Sequence, residues 1–164
     1  MKRFFVLSLA LVLALSLGAC TEPNNGDDGS DPTPLVLDVQ GVYEKMTQAA
    51  QLPEMMELDA DQLLDFYGIK AEYVKKAVVV VCKNSLRVDE IWVIEAADSA
   101  AAQEVEKKAK DRIAYRDEET VSYSPEQNAV VKKAQILRQG NYIALIVSPD
   151  VEALAQAFRA EAGL

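Results

Sequence analysis

The chain has 164 residues, 50% of them hydrophobic, with 17 basic against 26 acidic side chains, two cysteines and no histidine. Its formal charge of −9 argues against nucleic acid and anionic headgroups as partners, because like charges repel. Lacking histidine, it is without the commonest general base and metal ligand, which excludes Ser-His-Asp and Cys-His catalysis and two-histidine zinc helices.

Lys2 and Arg3 form a short positive region, and Phe4 to Leu17 is apolar except for Ser8 and Ser16. Gly18 and Ala19 then precede Cys20. Charge, apolar core and small residues in that order make a secretory signal, too short for a comfortable membrane span. Leu17-Gly18-Ala19-Cys20 resembles the lipobox of bacterial lipoproteins, whose cysteine takes a diacylglyceryl group before cleavage. The resemblance implies a signal peptide over residues 1–19 and a mature chain starting at acylated Cys20. Each buried methylene contributes about 0.8 kcal/mol, so one acyl chain holds marginally and two hold stably. The implied partner is a lipid bilayer, met at the extracytoplasmic face of a bacterial membrane. Acylation of Cys20 leaves Cys82 unpaired within the chain. Following Val78-Val79-Val80-Val81, Cys82 reads as a buried, inert thiol in a strand.

Residues 21–34 carry no aliphatic or aromatic side chain and cannot bury enough surface to offset their ordering. Residues 20–34 are therefore expected to be a disordered tether, holding a single domain at 35–164 roughly 20 Å from its lipid. The Asp27-Asp28-Gly29-Ser30-Asp31 cluster lacks the alternating ligands and distal glutamate of a calcium loop, so no metal is assigned to it.

Val39, Val42, Tyr43, Met46, Ala49 and Ala50 recur at helical spacing, which predicts a helix over about 38–51, ended by Pro53. Asp59 or Asp61 caps a short helix over about 60–67, and Gly68 suits its end. Capping accounts for those two carboxylates without a metal. Lys76 to Cys82 reads as a strand, Lys83-Asn84-Ser85 as a turn and Asp89 to Glu95 as the returning strand, giving a hairpin over about 76–95. Asp98 or Ser99 opens a helix over about 98–114 with Ala101, Ala102, Val105, Ala109 and Ile113 inward. Its Lys107, Lys108, Lys110 and Arg112, interleaved with Glu104 and Glu106, read as a solvated face. Asp117, Glu118 and Glu119 then read as a polar loop. Ser124-Pro125-Glu126-Gln127 combines a cap, a first-turn proline and a reciprocating glutamine, which predicts a helix over about 125–132. Gly140-Asn141 suits the two-residue turn of a second hairpin over about 135–147. Ser148-Pro149-Asp150 opens a last helix over about 149–161, with Val151, Leu154, Ala155 and Phe158 inward and Gly163 past its end.

Locally paired strands separated by helices predict an α+β domain, its four-stranded antiparallel sheet built from the two hairpins. Val78 to Val81, Ile91 to Ile94 and Tyr142 to Val147 are apolar at both alternating positions. Either helices cover both sheet faces or one face is a partner surface. Self-coverage is favoured, which makes Trp92 a core residue.

Several local features carry a resemblance. They are Pro53-Glu54-Met55, Tyr67-Gly68-Ile69, Asp89-Glu90-Ile91, Tyr123-Ser124-Pro125-Glu126, Gly140-Asn141-Tyr142 and Val147-Ser148-Pro149-Asp150. On these the chain resembles the bacterial lipoprotein family catalogued as domain of unknown function 4358. The resemblance implies a place, the outer face of the cytoplasmic membrane, and carries over no catalytic residue.

Ser-x-x-Lys and Gly-x-Ser-x-Gly are both absent, so penicillin-binding and α/β-hydrolase chemistry have no nucleophile here. Carboxylate pairs are what remain for catalysis. No catalytic, cofactor-binding or metal-ligating residue is assigned, and Cys20 stands as the one functional residue, the site of lipid attachment. The expected role is a non-enzymatic interaction module of the cell envelope, with an envelope protein as partner. The alternatives are a small-ligand or peptide-binding lipoprotein and a carboxylate-dependent cell-wall hydrolase.

Overall fold

A computed structural model of the chain describes residues 35–164. The expected signal peptide, lipobox cysteine Cys20 and tether, and the Asp27–Asp31 cluster, lie outside the described residues. Asp38 starts the first helix, α1 (Val39–Ala49), by accepting the Gly41 N–H at 3.2 Å. A short strand β1 (Met55–Glu57) follows, then α2 (Ala60–Tyr67), opened by a reciprocal cap between Asp59 and Gln62. Gly68 closes α2 at φ 65°, a left-handed conformation that glycine adopts without strain. A single 3-10 turn at Ala71–Tyr73 leads into β2 (Val74–Cys82), β3 (Glu90–Ala96) and the long helix α3 (Ser99–Val121). The chain continues through α4 (Pro125–Val131), β4 (Gln135–Gln139), β5 (Tyr142–Val147) and α5 (Val151–Ala162).

The five strands form one antiparallel sheet in the order β1-β2-β3-β5-β4. Cross-strand register sorts the side chains into two rows. Val79, Trp92, Leu145 and Ile136 lie opposite one another and meet α2, α3 and α4. The adjacent row, Val78, Val93, Ala144 and Leu137, meets α1 and α5, where Met46, Leu154 and Phe158 are fully buried. Strands β3 and β5 therefore face apolar side chains on both sides, which explains why they do not alternate. The self-covered sheet and the core position of Trp92 hold as expected.

The expectation of four strands is corrected to five. The missed strand, β1, is three residues long, too short for any periodicity to register, and pairs Met55 with Cys82 and Glu57 with Val80. The third helix runs through Val121 rather than stopping near residue 114, so Asp117, Glu118 and Glu119 are helical rather than a loop. Its apolar stripe ends at Ile113, and polar contacts hold the last turns. Asn128 Nδ2 donates to the Asp117 carboxylate at 2.6 Å and to Thr120 Oγ1 at 3.1 Å, and Arg116 Nη1 donates to Glu119 at 2.7 Å. The expected Ser124 and Gln127 cap is also corrected. Ser124 caps nothing through its side chain, and Gln127 Oε1 accepts the Val88 N–H at 3.0 Å instead, tying α4 to the β2–β3 connection. The first helix stops at Ala49, ahead of Pro53. Among the described helices none is long and apolar enough to cross a membrane.

Each sheet face has its own buried cluster within residues 35–164. A chain of residues 35–164 alone should therefore unfold cooperatively in urea, followed by far-UV circular dichroism, with a single sigmoidal transition; a featureless or disordered spectrum would count against this boundary.

Candidate functional site

Glu90 opens a largely apolar strand, and its side chain shares a face with Trp92 two residues on. Both are fully buried. A carboxylate there must be answered, because an unpaired buried charge costs several kcal/mol. Trp92 Nε1 donates to Glu90 Oε1 at 2.8 Å. Arg112 of α3 donates from Nε to both carboxylate oxygens, at 3.1 and 2.9 Å, and from Nη2 to Oε2 at 2.8 Å. One helical turn on, Arg116 sits with Nε 3.9 Å from Glu90 Oε2, beyond hydrogen-bond reach, and that buried nitrogen has no partner among the described residues.

Aromatic rings pack around this ion pair. The Tyr67 ring lies 4.7 Å from the Trp92 ring, and the Arg112 guanidinium sits 5.0 Å from the Tyr67 centroid and 5.7 Å from that of Tyr115. Both rings lie within cation–π range of the guanidinium and add to its hold on Glu90. Burial, and then the Glu90 charge, raise the Tyr67 hydroxyl well above its ordinary range. Burial alone would pull the Arg112 guanidinium down, and the charge and hydrogen bonds of Glu90 reverse this, leaving it above its usual value.

Above the pair opens a groove of about 590 Å³ between α2, the end of β2 and α3. Phe66 and Tyr67 form one wall, Lys108, Arg112, Tyr115 and Arg116 the other, and Cys82 and Arg87 close one end. Two sequence expectations change here. Cys82 is half-buried and borders the groove instead of being sealed in the core. Arg112 was expected on a solvated face, yet its side chain is 14% exposed because Glu90 draws it inward. Asp59 caps α2 and Asp61 sits in its first turn, as capping required.

Three of the carboxylates at or beside the groove are already paired with cations. Glu90 is saturated and sealed, Asp89 is held by Arg87 at 2.8 and 3.1 Å, and Glu119 is held by Arg116. A glycosidase needs two free carboxylates across a cleft. Among the described residues no three His, Cys, Asp or Glu side chains gather as metal ligands would. Sequence reasoning missed the cluster of Tyr67, Glu90, Arg112 and Arg116. Two signals pointed to it: a glutamate heading an apolar strand, and two arginines four apart on a helix, hence on one face.

Residues 48–148 match the family described as Domain of unknown function (DUF4358). The chain belongs to this family. No curated protein and no solved structure matches it. The matched span runs from the end of α1 to the end of β5 and takes in every residue of the Glu90 cluster and the groove. Most of α1, all of α5 and Cys20 fall outside the family region of this DUF4358 member.

Replacing Arg112 with leucine should destabilise the fold by about 3–5 kcal/mol, because it strands a buried carboxylate. The double variant Glu90→Leu with Arg112→Leu should cost much less, as read from urea midpoints. Equal losses in the two variants would mean that the ion pair is not what holds this region.

A hydroxyl whose folded pKa is raised keeps its proton while the unfolded chain gives one up. Stability from Tyr67 is therefore complete below the unfolded value near 10 and is lost as pH rises beyond it. Tyr67→Phe should flatten the fall in unfolding midpoint between about pH 9 and 11; an unchanged slope would assign that fall to other groups.

Proposed function

We propose that this chain is a lipid-anchored protein of the extracytoplasmic face of a bacterial membrane, held by acylated Cys20. Its domain is a non-enzymatic binding module of the cell envelope, and the groove between α2 and α3 is its binding site. The observation that carries the binding reading is the rim of that groove. Phe66 and Tyr115 are 61% and 57% exposed, and Leu86, at 79%, stands between the groove residues Ser85 and Arg87. Large apolar side chains left in water beside a packed guanidinium have the composition of interaction hot spots. Both sheet faces are covered by the protein's own helices, so recognition falls to the groove. Its volume lies within the roughly 300–1,000 Å³ of small-molecule sites, which favours a small ligand over a flat protein face.

Support for the anchor comes from the order of Lys2-Arg3, the apolar run, Gly18-Ala19 and Cys20, and from the lasting hold of two acyl chains. Support for a non-enzymatic role comes from the saturated carboxylates and the lack of histidine. Cys20→Ser in the native bacterium should abolish labelling by tagged palmitate and release the protein from membranes. If that variant stays with the membrane after a high-salt wash, the anchoring half of the reading falls.

A further inference from the structure

We propose that the groove takes a small organic anion: a carboxylate, sulfonate or phosphate ester carried on an aromatic or flat apolar body. This rests on the groove being the binding site and adds the chemistry of its occupant. Hydrogen-bond capacity carries the argument. Three acidic groups at or near the groove are already engaged: Glu90 by Arg112 and Trp92, Asp89 by Arg87, and Glu119 by Arg116. Each guanidinium has five N–H donors, and these pairings leave some of them on Arg87, Arg112 and Arg116 without an acceptor among the described residues. The Lys108 ammonium has no partner there either. It approaches so closely over Gly68 that a Cβ at that glycine would lie 3.2 Å from Nζ. Asp111 is the one groove carboxylate with no bonded cation, and it lies on the exposed side of α3.

The groove thus has more open charged donors, on Lys108, Arg87, Arg112 and Arg116, than open acceptors, of which the Asp111 carboxylate is the main one. An anionic head meets Lys108 and the free edges of Arg112 and Arg116, which sit at four-residue intervals on one face of α3. The orientation of Arg112 is set in advance by Glu90 and by its stacking on Tyr67 and Tyr115, so little ordering is left for binding. The body of the ligand lies against Phe66 and Tyr115, whose exposed rings are otherwise a cost in water. A bare inorganic anion leaves those rings unused, and a neutral aromatic leaves the donors unmet.

The test is isothermal titration of the full chain, solubilised in a neutral detergent, with phenyl phosphate, inorganic phosphate and benzyl alcohol in turn. Phenyl phosphate should bind with one-to-one stoichiometry, and the other two should bind at least tenfold more weakly. Lys108→Gln and Tyr115→Ser alter partly or largely exposed side chains, and each should weaken phenyl phosphate about tenfold, the loss expected for one charge-assisted or stacking contact. Benzyl alcohol matching phenyl phosphate, with Tyr115→Ser weakening both, would overturn the anionic class while leaving the groove a binding site. Inorganic phosphate matching phenyl phosphate, or variants equal to the native chain, would mean adventitious surface binding and overturn the proposal. No binding of any probe would overturn the proposal and remove the groove as a small-ligand site, leaving the Cys20 anchor to its own test.

Discussion

A carboxylate buried at the head of a central strand constrains everything around it. Glu90 is fully enclosed, and hydrocarbon surroundings would expel a charge left alone there. The long helix α3 has to lie where Arg112 can reach both oxygens, which sets its rotation as well as its distance from the sheet. With the helix held there, Arg116 falls one turn further along the same face, and Tyr67 is wedged between the guanidinium and Trp92. The groove is the space left above this arrangement, so its shape follows from an electrostatic requirement below it.

The rest of the architecture follows from two strands that have no polar face. Because β3 and β5 are apolar on both sides, the sheet needs helices above and below, and α1 with α5 on one side and α2 to α4 on the other supply them. The sheet edges are guarded differently. β1 is only three residues long and covers one end of β2, while Lys75 and Lys76 and a register irregularity at Val74 mark the uncovered part. Short strands, lysines and bulges discourage pairing between sheets of different molecules. At the other edge, β4 carries Arg138, whose guanidinium reaches Glu106 at 3.3 Å and the Ser99 carbonyl at 3.3 Å, tying the edge to α3.

Polar contacts do at the far end of α3 what apolar periodicity does elsewhere. Beyond Ile113 the apolar stripe ends, and Asn128 of α4 holds the helix through its bonds to Asp117 and Thr120. Arg116–Glu119 and Thr120–Arg116 contacts brace the last turns internally. This end borders the groove, and two of its acidic residues, Asp117 and Glu119, act as structural acceptors. The half-buried Cys82 borders the groove, and the exposed rings of Phe66 and Tyr115 are the large apolar surfaces of that region.

The sequence alone determined what depends on near neighbours in the chain. The helix at 60–67 with its cap at Asp59 or Asp61 and its Gly68 stop, the Gly140-Asn141 turn and the apolar runs of the central strands are all local, so spacing and propensity expose them. The class of fold and the covering of both sheet faces followed from those runs. What tertiary structure decided depends on residues far apart: the pairing of β1 with β2, the length of α3 and the role of Gln127 as partner to Val88. The groove belongs to that second group, because its parts come from residues 66–67, 82–87 and 108–116, and no local pattern says that these meet. Charge shows the limit most plainly. Arg112 and Lys108 look alike in a run of basic residues, and only the buried Glu90 across the core draws one inward and leaves the other at the groove.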